Sequence, residues 1–190
     1  MRVLKILFLI VTILPPFAYS NEVKRIKEIR TLFSEWQPIV KSEIKNAPSV
    51  YRYVWGDRYE NEEWTTQEVK SNLKLLAEKN SVIRNELGSF VLREIYSFSG
   101  DWSVVSENYY DKNGKLFFVF WTMNTFQAEE PVTVEKRLYF DKKGEMVRSV
   151  QDVYKLNTKQ QLKVSFIDHE VLYEVDFKSL PYSGYLPRYP

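Results

Sequence analysis

A nine-residue segment that occurs twice constrains this chain more than any other feature. Tyr109-Tyr110-Asp111-Lys112-Asn113-Gly114-Lys115-Leu116-Phe117 recurs as Tyr139-Phe140-Asp141-Lys142-Lys143-Gly144-Glu145-Met146-Val147. Asn-Gly or Lys-Gly between strand-like segments marks a hairpin turn, because Gly and Asn reach positive φ at little cost. Between the copies lies the apolar run Leu116-Phe117-Phe118-Val119-Phe120-Trp121. The centre of the chain therefore reads as an antiparallel β-meander, in which sequence neighbours pair in space.

The flanking strands follow from period-two patterning and turn residues. They are expected at Ser49–Trp55, Phe90–Phe98, Trp102–Tyr110, Lys115–Phe126, Val132–Asp141 and Glu145–Tyr154, with a last hairpin over Lys159–Phe177 turning at Asp168-His169. Val132, Val134, Leu138 and Phe140 alternate with polar partners, as in a strand with one wet face. Leu116–Trp121 is apolar on both faces. As an open edge it would invite aggregation, so it is expected at the centre, with a helix over one face and loops or chain ends over the other.

That helix is expected at Asn21–Asn46, where Val23, Ile26, Ile29, Leu32, Phe33, Trp36 and Val40 recur at spacings of three and four. Pro38 should kink or end it near Trp36. Arg58–Trp64 reads as a solvated loop or edge strand. Thr65-Thr66-Gln67-Glu68 fits a capping box, with Val69, Leu73, Leu76 and Asn80 on one face of a short helix ending near Lys79. The span 66–80 also fits a twisted strand pair. The end, Leu180–Pro190, is rich in Pro and Tyr and reads as an extended strap laid over the sheet. The fold class is thus α+β, an antiparallel meander packed by an N-terminal amphipathic helix.

Residues 1–20 have the anatomy of a secretory signal peptide. Arg2 and Lys5 form a short basic region, and Val3–Leu14, apolar apart from Lys5 and Thr12, is a run of roughly a dozen residues, too short for the ~20 needed to span a bilayer. Ala18-Tyr19-Ser20 offers small residues for cleavage after Ser20. The expected mature chain, 21–190, is one domain, exported to the periplasm or beyond and soluble there. The full chain has 27 basic and 25 acidic residues. Without Arg2 and Lys5 it has 25 of each, so no basic surface for nucleic acid is expected. Cys is absent, so no disulfide staples the fold and its stability must come from a core.

Motifs for covalent chemistry are missing. There is no thiolate nucleophile, no Gly-x-Ser-x-Gly elbow and no phosphate-cradling glycine loop, and no cofactor or metal site is expected. The single histidine, His169, lies between Asp168 and Glu170 in an expected turn, where exposure explains it. Glu60, Glu62 and Glu63, and the strand residues Glu94, Glu107 and Glu135, could serve acid–base chemistry. A solvated loop or edge strand accounts better for the first three, and the wet face of a sheet for the others. The aromatic residues Trp102, Tyr109, Trp121, Tyr139 and Tyr173 are the candidates for a binding platform, since rings bury large area at low entropic loss.

The paired hairpins, behind a signal peptide and an amphipathic helix, resemble those of small exported bacterial proteins of unassigned function. More distantly they are similar to MORN-type hairpin repeats; the resemblance covers roughly Trp102–Tyr154. It implies no catalytic residue. The leading expectation is a non-enzymatic binding module for an envelope component, an apolar ligand or a protein partner. The alternatives are a carboxylate-dependent hydrolase of envelope or extracellular polymers, and a structural or inhibitory partner of a secreted enzyme.

Overall fold

The computed structural model describes residues 16–163 and 170–186, with side chains from residue 21 onward. Helix α1 (Pro16–Glu43) starts on a proline, whose missing N–H is no loss in a first turn. The apolar stripe buries Ile26, Ile29 and Trp36, while Val23 stays exposed. Of the two outcomes expected at Pro38, a kink or an end near Trp36, the end does not occur: the helix runs on to Glu43, within the expected 21–46 span. Pro38 lies on the solvent side, so the Ser34 carbonyl that it leaves without a partner can bind water. Ile39 and Val40 beyond it pack on the core.

Nine antiparallel strands form one open sheet. They are β1 (Ser49–Trp55), β2 (Asn61–Thr65), β3 (Leu75–Asn85), β4 (Gly88–Tyr96), β5 (Trp102–Asp111), β6 (Leu116–Thr125), β7 (Val132–Phe140), β8 (Met146–Lys155) and β9 (Gln161–Leu162). Their order is β2-β1-β3-β4-β5-β6-β7-β8-β9, a meander broken only where β2 folds back outside β1. The expected α+β architecture, with one helix on an antiparallel sheet, is what the chain adopts. Among the described residues no helix is long and apolar enough to cross a membrane.

The repeat proves to be one hairpin built twice. Asp111 Oδ1 accepts from the N–H groups of Asn113 (2.8 Å) and Lys115 (3.0 Å), and Asp141 Oδ1 does the same for Lys143 (2.8 Å) and Glu145 (2.9 Å). Gly114 and Gly144 follow with φ of 77° and 87°, the left-handed region where a Cβ is costly. Each copy also ends in a β-bulge. Tyr109 pairs with Phe118 but Tyr110 with Leu116, leaving Phe117 extra; Tyr139 pairs with Arg148 but Phe140 with Met146, leaving Val147 extra. A bulge at a repeated position adds twist to the sheet at both places.

Two regions depart from the sequence reading. Residues 66–74 are irregular and Leu75–Asn85 is strand, so no helix follows the Thr65 motif; the Thr65 hydroxyl accepts from the N–H of Gln67 (3.1 Å). The expected face fails because Leu73 is 85% exposed whereas Glu78, off that face, is buried. The expected last hairpin is not seen among the described residues. Of its first arm Gln161–Leu162 is strand, and residues 164–169, including the expected turn at Asp168-His169, lie outside the described residues. Its second arm crosses the sheet face instead of pairing at its edge. Leu116 N–H donates to Val175 O (2.9 Å) and Phe177 N–H to Gly114 O (2.8 Å). The strap therefore begins near Val171, well before Leu180. Residues 187–190 of the expected strap are also outside the described part.

The sheet has a core on each face. Beneath α1, Ile29 and Trp36 meet Phe90, Tyr109, Phe117 and Phe118. On the opposite face, Val91, Tyr110, Leu116, Val119 and Phe140 lie under Phe177, Leu180 and Tyr182 of the strap. β6 is buried on both sides, as its composition requires, and the cover is the helix on one side and the chain end on the other.

Candidate functional site

The five candidate aromatics do not form one platform. Pleating turns successive side chains to opposite faces, and it sends Tyr109 and Tyr139 toward α1 but Trp102 and Trp121 toward the strap, where Tyr173 joins them. Tyr109 is a core residue with no exposure. Its ring lies 4.9 Å from Phe90 and 5.4 Å from Phe33. Its hydroxyl donates to Glu107 (2.5 Å) and accepts from Gln37 Nε2 (3.1 Å), tying α1 to the sheet. Burial, then the nearby Glu107 charge, push the Tyr109 phenol up. Tyr139, packed on Phe118 at 5.1 Å, borders a groove of about 360 Å³ beside α1, together with Phe33, Phe120, Glu135 and Arg137.

Trp102 and Trp121 share a hollow of about 290 Å³ between the sheet and the strap. Ile95 from β4, Val104 from β5 and Met123 from β6 complete its floor, and Leu172 of the strap forms a wall. Arg93, Ser106 and Glu170 supply its polar groups. Lys136 Nζ stands 5.6 Å from the Trp121 ring, a distance suited to a cation–π contact. Two further cavities run along the strap. One, of about 520 Å³, lies over Lys136, Leu138, Met146 and Ser149; the other, of about 190 Å³, is enclosed by Arg93, Asn108, Tyr110, Tyr173 and Tyr182. Leu172 lines all three, and Arg93 stands between the first and the last. Tyr173 packs edge-on against Phe140 at 5.0 Å and walls the two outer cavities.

Arg93 is held by a charged cluster that sequence reading missed. Glu78 on β3 is 1% exposed and takes both prongs of Arg93, Nε at 2.8 Å and Nη2 at 3.1 Å. Asn80 Nδ2 donates to the same carboxylate (2.9 Å), and Arg52 Nε approaches it to 3.4 Å. Bidentate pairing compensates the desolvation of such a buried carboxylate, and loss of one partner would leave a buried charge unmatched. The third donor direction of Arg93, Nη1, binds the Leu172 carbonyl at 3.2 Å and so anchors the strap. A signal did exist: Val91-Leu92-Arg93-Glu94-Ile95 places Arg93 on the apolar side of its strand, where a charge needs a partner.

The carboxylates weighed for catalysis are engaged elsewhere. Glu94 pairs with Lys79 (3.3 Å), Glu62 with Arg52 (3.3 Å) and Glu63 with Lys74, while Glu60 caps the N–H of Arg58 (2.9 Å). Glu107 is buried against Tyr109; burial raises its carboxyl and the Tyr109 hydroxyl pulls it partly back. Glu94, Glu107 and Glu135 all point to the α1 face, away from the strap hollow. Among the described residues no group of three His, Cys, Asp or Glu is placed to hold a metal ion. No protein-family model matches this chain, and no curated protein or solved structure resembles it significantly.

Proposed function

We propose that this is an exported, non-enzymatic binding protein that takes an apolar or amphipathic molecule, such as an envelope component, into the hollow between sheet and strap. The observation that carries this reading is the pair Trp102 and Trp121 lining a cavity of about 290 Å³ with Ile95, Val104 and Met123. Ligand sites are concave and mostly apolar, with a few fixed polar groups, and Arg93, held by Glu78, is such a group. The adjoining cavities extend the available length along the strap. Export rests on the basic and apolar pattern of residues 1–20.

Tryptophan fluorescence tests the reading, because two of the five tryptophans line the hollow. Short-chain amphiphiles should shift the emission with a saturable dependence. Filling the hollow by Val104→Phe should abolish that response in a protein that still unfolds cooperatively. An unchanged response in the filled variant would refute the site. Secreted material should begin at Asn21; an intact Met1 would overturn cleavage.

A further inference from the structure

Burial leaves one polar group of the strap without any partner. Tyr182 is 2% exposed, and its hydroxyl has no hydrogen-bond partner. It lines the cavity of about 190 Å³ that it shares with Arg93, Asn108 and Tyr110. Buried polar atoms are nearly always satisfied, so an orphan on a residue that lines a cavity calls for an explanation.

Two polar groups around it already have partners. The Tyr110 hydroxyl donates to Glu174 O (3.1 Å), and Asn108 Oδ1 accepts from Ser106 Oγ (3.2 Å). A guanidinium carries five N–H groups, and Arg93 uses one each from Nε, Nη1 and Nη2 on Glu78 and Leu172. One proton on each terminal nitrogen remains. Burial, and next the neighbouring Tyr110, push the Tyr182 phenol up, so it stays protonated and able to donate at any physiological pH. The side-chain donors left around this cavity are thus those of Arg93 and Tyr182, set against the Glu174 carboxylate at its exposed rim.

Arg93 also lines the Trp102–Trp121 hollow. A molecule with its apolar body in that hollow would reach Arg93 with its end, next to Tyr182. Resting on the reading of the hollow as a ligand site, we infer that the ligand is an amphipathic acid, its carboxylate accepting from Arg93 and the Tyr182 hydroxyl. Glu78 offsets much of the Arg93 charge, so the preference for an anion comes from two directed hydrogen bonds more than from net charge. Glu170 lines the hollow and Glu174 the Tyr182 cavity; both are exposed on the strap and disfavour any second carboxylate, which points to a monoacid.

Octanoate, 1-octanol and octylammonium, matched in chain length, separate the possibilities when titrated against the mature protein by calorimetry and tryptophan fluorescence. Octanoate should bind about tenfold more tightly than octanol, as charged hydrogen bonds contribute on that scale, and octylammonium more weakly than both. Tyr182→Phe removes only an unpartnered hydroxyl, so it should leave thermal stability unchanged or raised. It should weaken octanoate about fivefold or more and change octanol less than twofold. Equal affinities for acid and alcohol, or an unaltered octanoate affinity in Tyr182→Phe, would overturn the carboxylate assignment and leave the hollow standing as an apolar site. Tightest binding by octylammonium would overturn it too. If none of the three binds, the reading of the hollow itself fails and takes this inference with it.

Discussion

Phe118→Ala probes the part of the fold on which everything else rests. Phe118 sits on the central strand β6, 4% exposed, under α1. Its ring centroid lies 5.1 Å from Phe33, 5.1 Å from Tyr139 and 5.8 Å from Tyr109. Truncating a buried Phe to Ala costs about 3–5 kcal/mol, cavity included. Aromatic pairs add about 0.5–1.5 kcal/mol each beyond burial, although contacts around one ring do not sum. The upper part of the range, about 4–5 kcal/mol, is therefore expected. Phe120, two residues along on the same face, is only half-buried at the groove beside α1. Its truncation should cost about 1–2 kcal/mol. Urea unfolding followed by circular dichroism separates the two. With a slope of about 2 kcal/mol per molar, Phe118→Ala moves the midpoint by about 2 M and Phe120→Ala by under about 1 M. Equal shifts, or a Phe118→Ala midpoint within about 0.5 M of wild type, would refute the claim that the helix seals this face of the strand.

Gly88→Ala should be among the most damaging single-methyl changes. Gly88 has φ of 138°, and a Cβ there would lie 2.1 Å from the Tyr110 carbonyl oxygen, so backbone must shift; the check is soluble yield and melting temperature, and a near-native melt would show that the β4–β5 approach is looser than described. Glu107→Gln tests the buried carboxyl through pH. Burial raises its folded value above the ordinary 4.5, so its favourable contribution is complete below 4.5 and fades as pH climbs through the folded value. Glutamine keeps an acceptor for Tyr109, so the variant should match wild type near pH 4 and exceed it in melting temperature near pH 8. A wild type that gains on the variant with rising pH would contradict the burial argument.

Local chemistry made the hairpins legible. Asp-x-x-Gly dictates the turn by itself, through a side chain that binds the N–H groups two and four residues on, and so the repeat could be read without knowing its surroundings. The two-sided burial of β6 followed from composition alone. Glu78 defeated the reading of 66–80 because its placement depends on Arg52 and Arg93, which come from two other strands. Val69, Leu73 and Leu76 happened to match helical spacing while Leu73 points to solvent. The split of the aromatic candidates was half legible. Trp102 and Tyr109 share one strand at an odd separation, so period two puts them on opposite faces. Relating Tyr139 to Trp121 instead requires the register of the β6–β7 pair, in which Tyr139 lies opposite Phe118 and Trp121 opposite Lys136. Tyr182 and its orphan hydroxyl gave no sequence signal, because the strap's path over β4 and β5 is set by packing at Leu180 and Phe177.

The near-sequential strand order bears on how the molecule assembles. Hairpins between adjacent strands close within microseconds, and all neighbours but β1 and β3 are consecutive along the chain. The sheet can therefore zip from either copy of the repeat with little loop entropy to overcome. The two covers are different. Arg25 of α1 bonds the carbonyl of Phe140 at 3.0 Å, so the helix leaves the ribosome first yet must wait for β7 before it docks fully. The strap follows all nine strands along the chain. The hollow under it exists only while the strap lies across the paired sheet, so a local opening that lifts the strap removes the hollow with it.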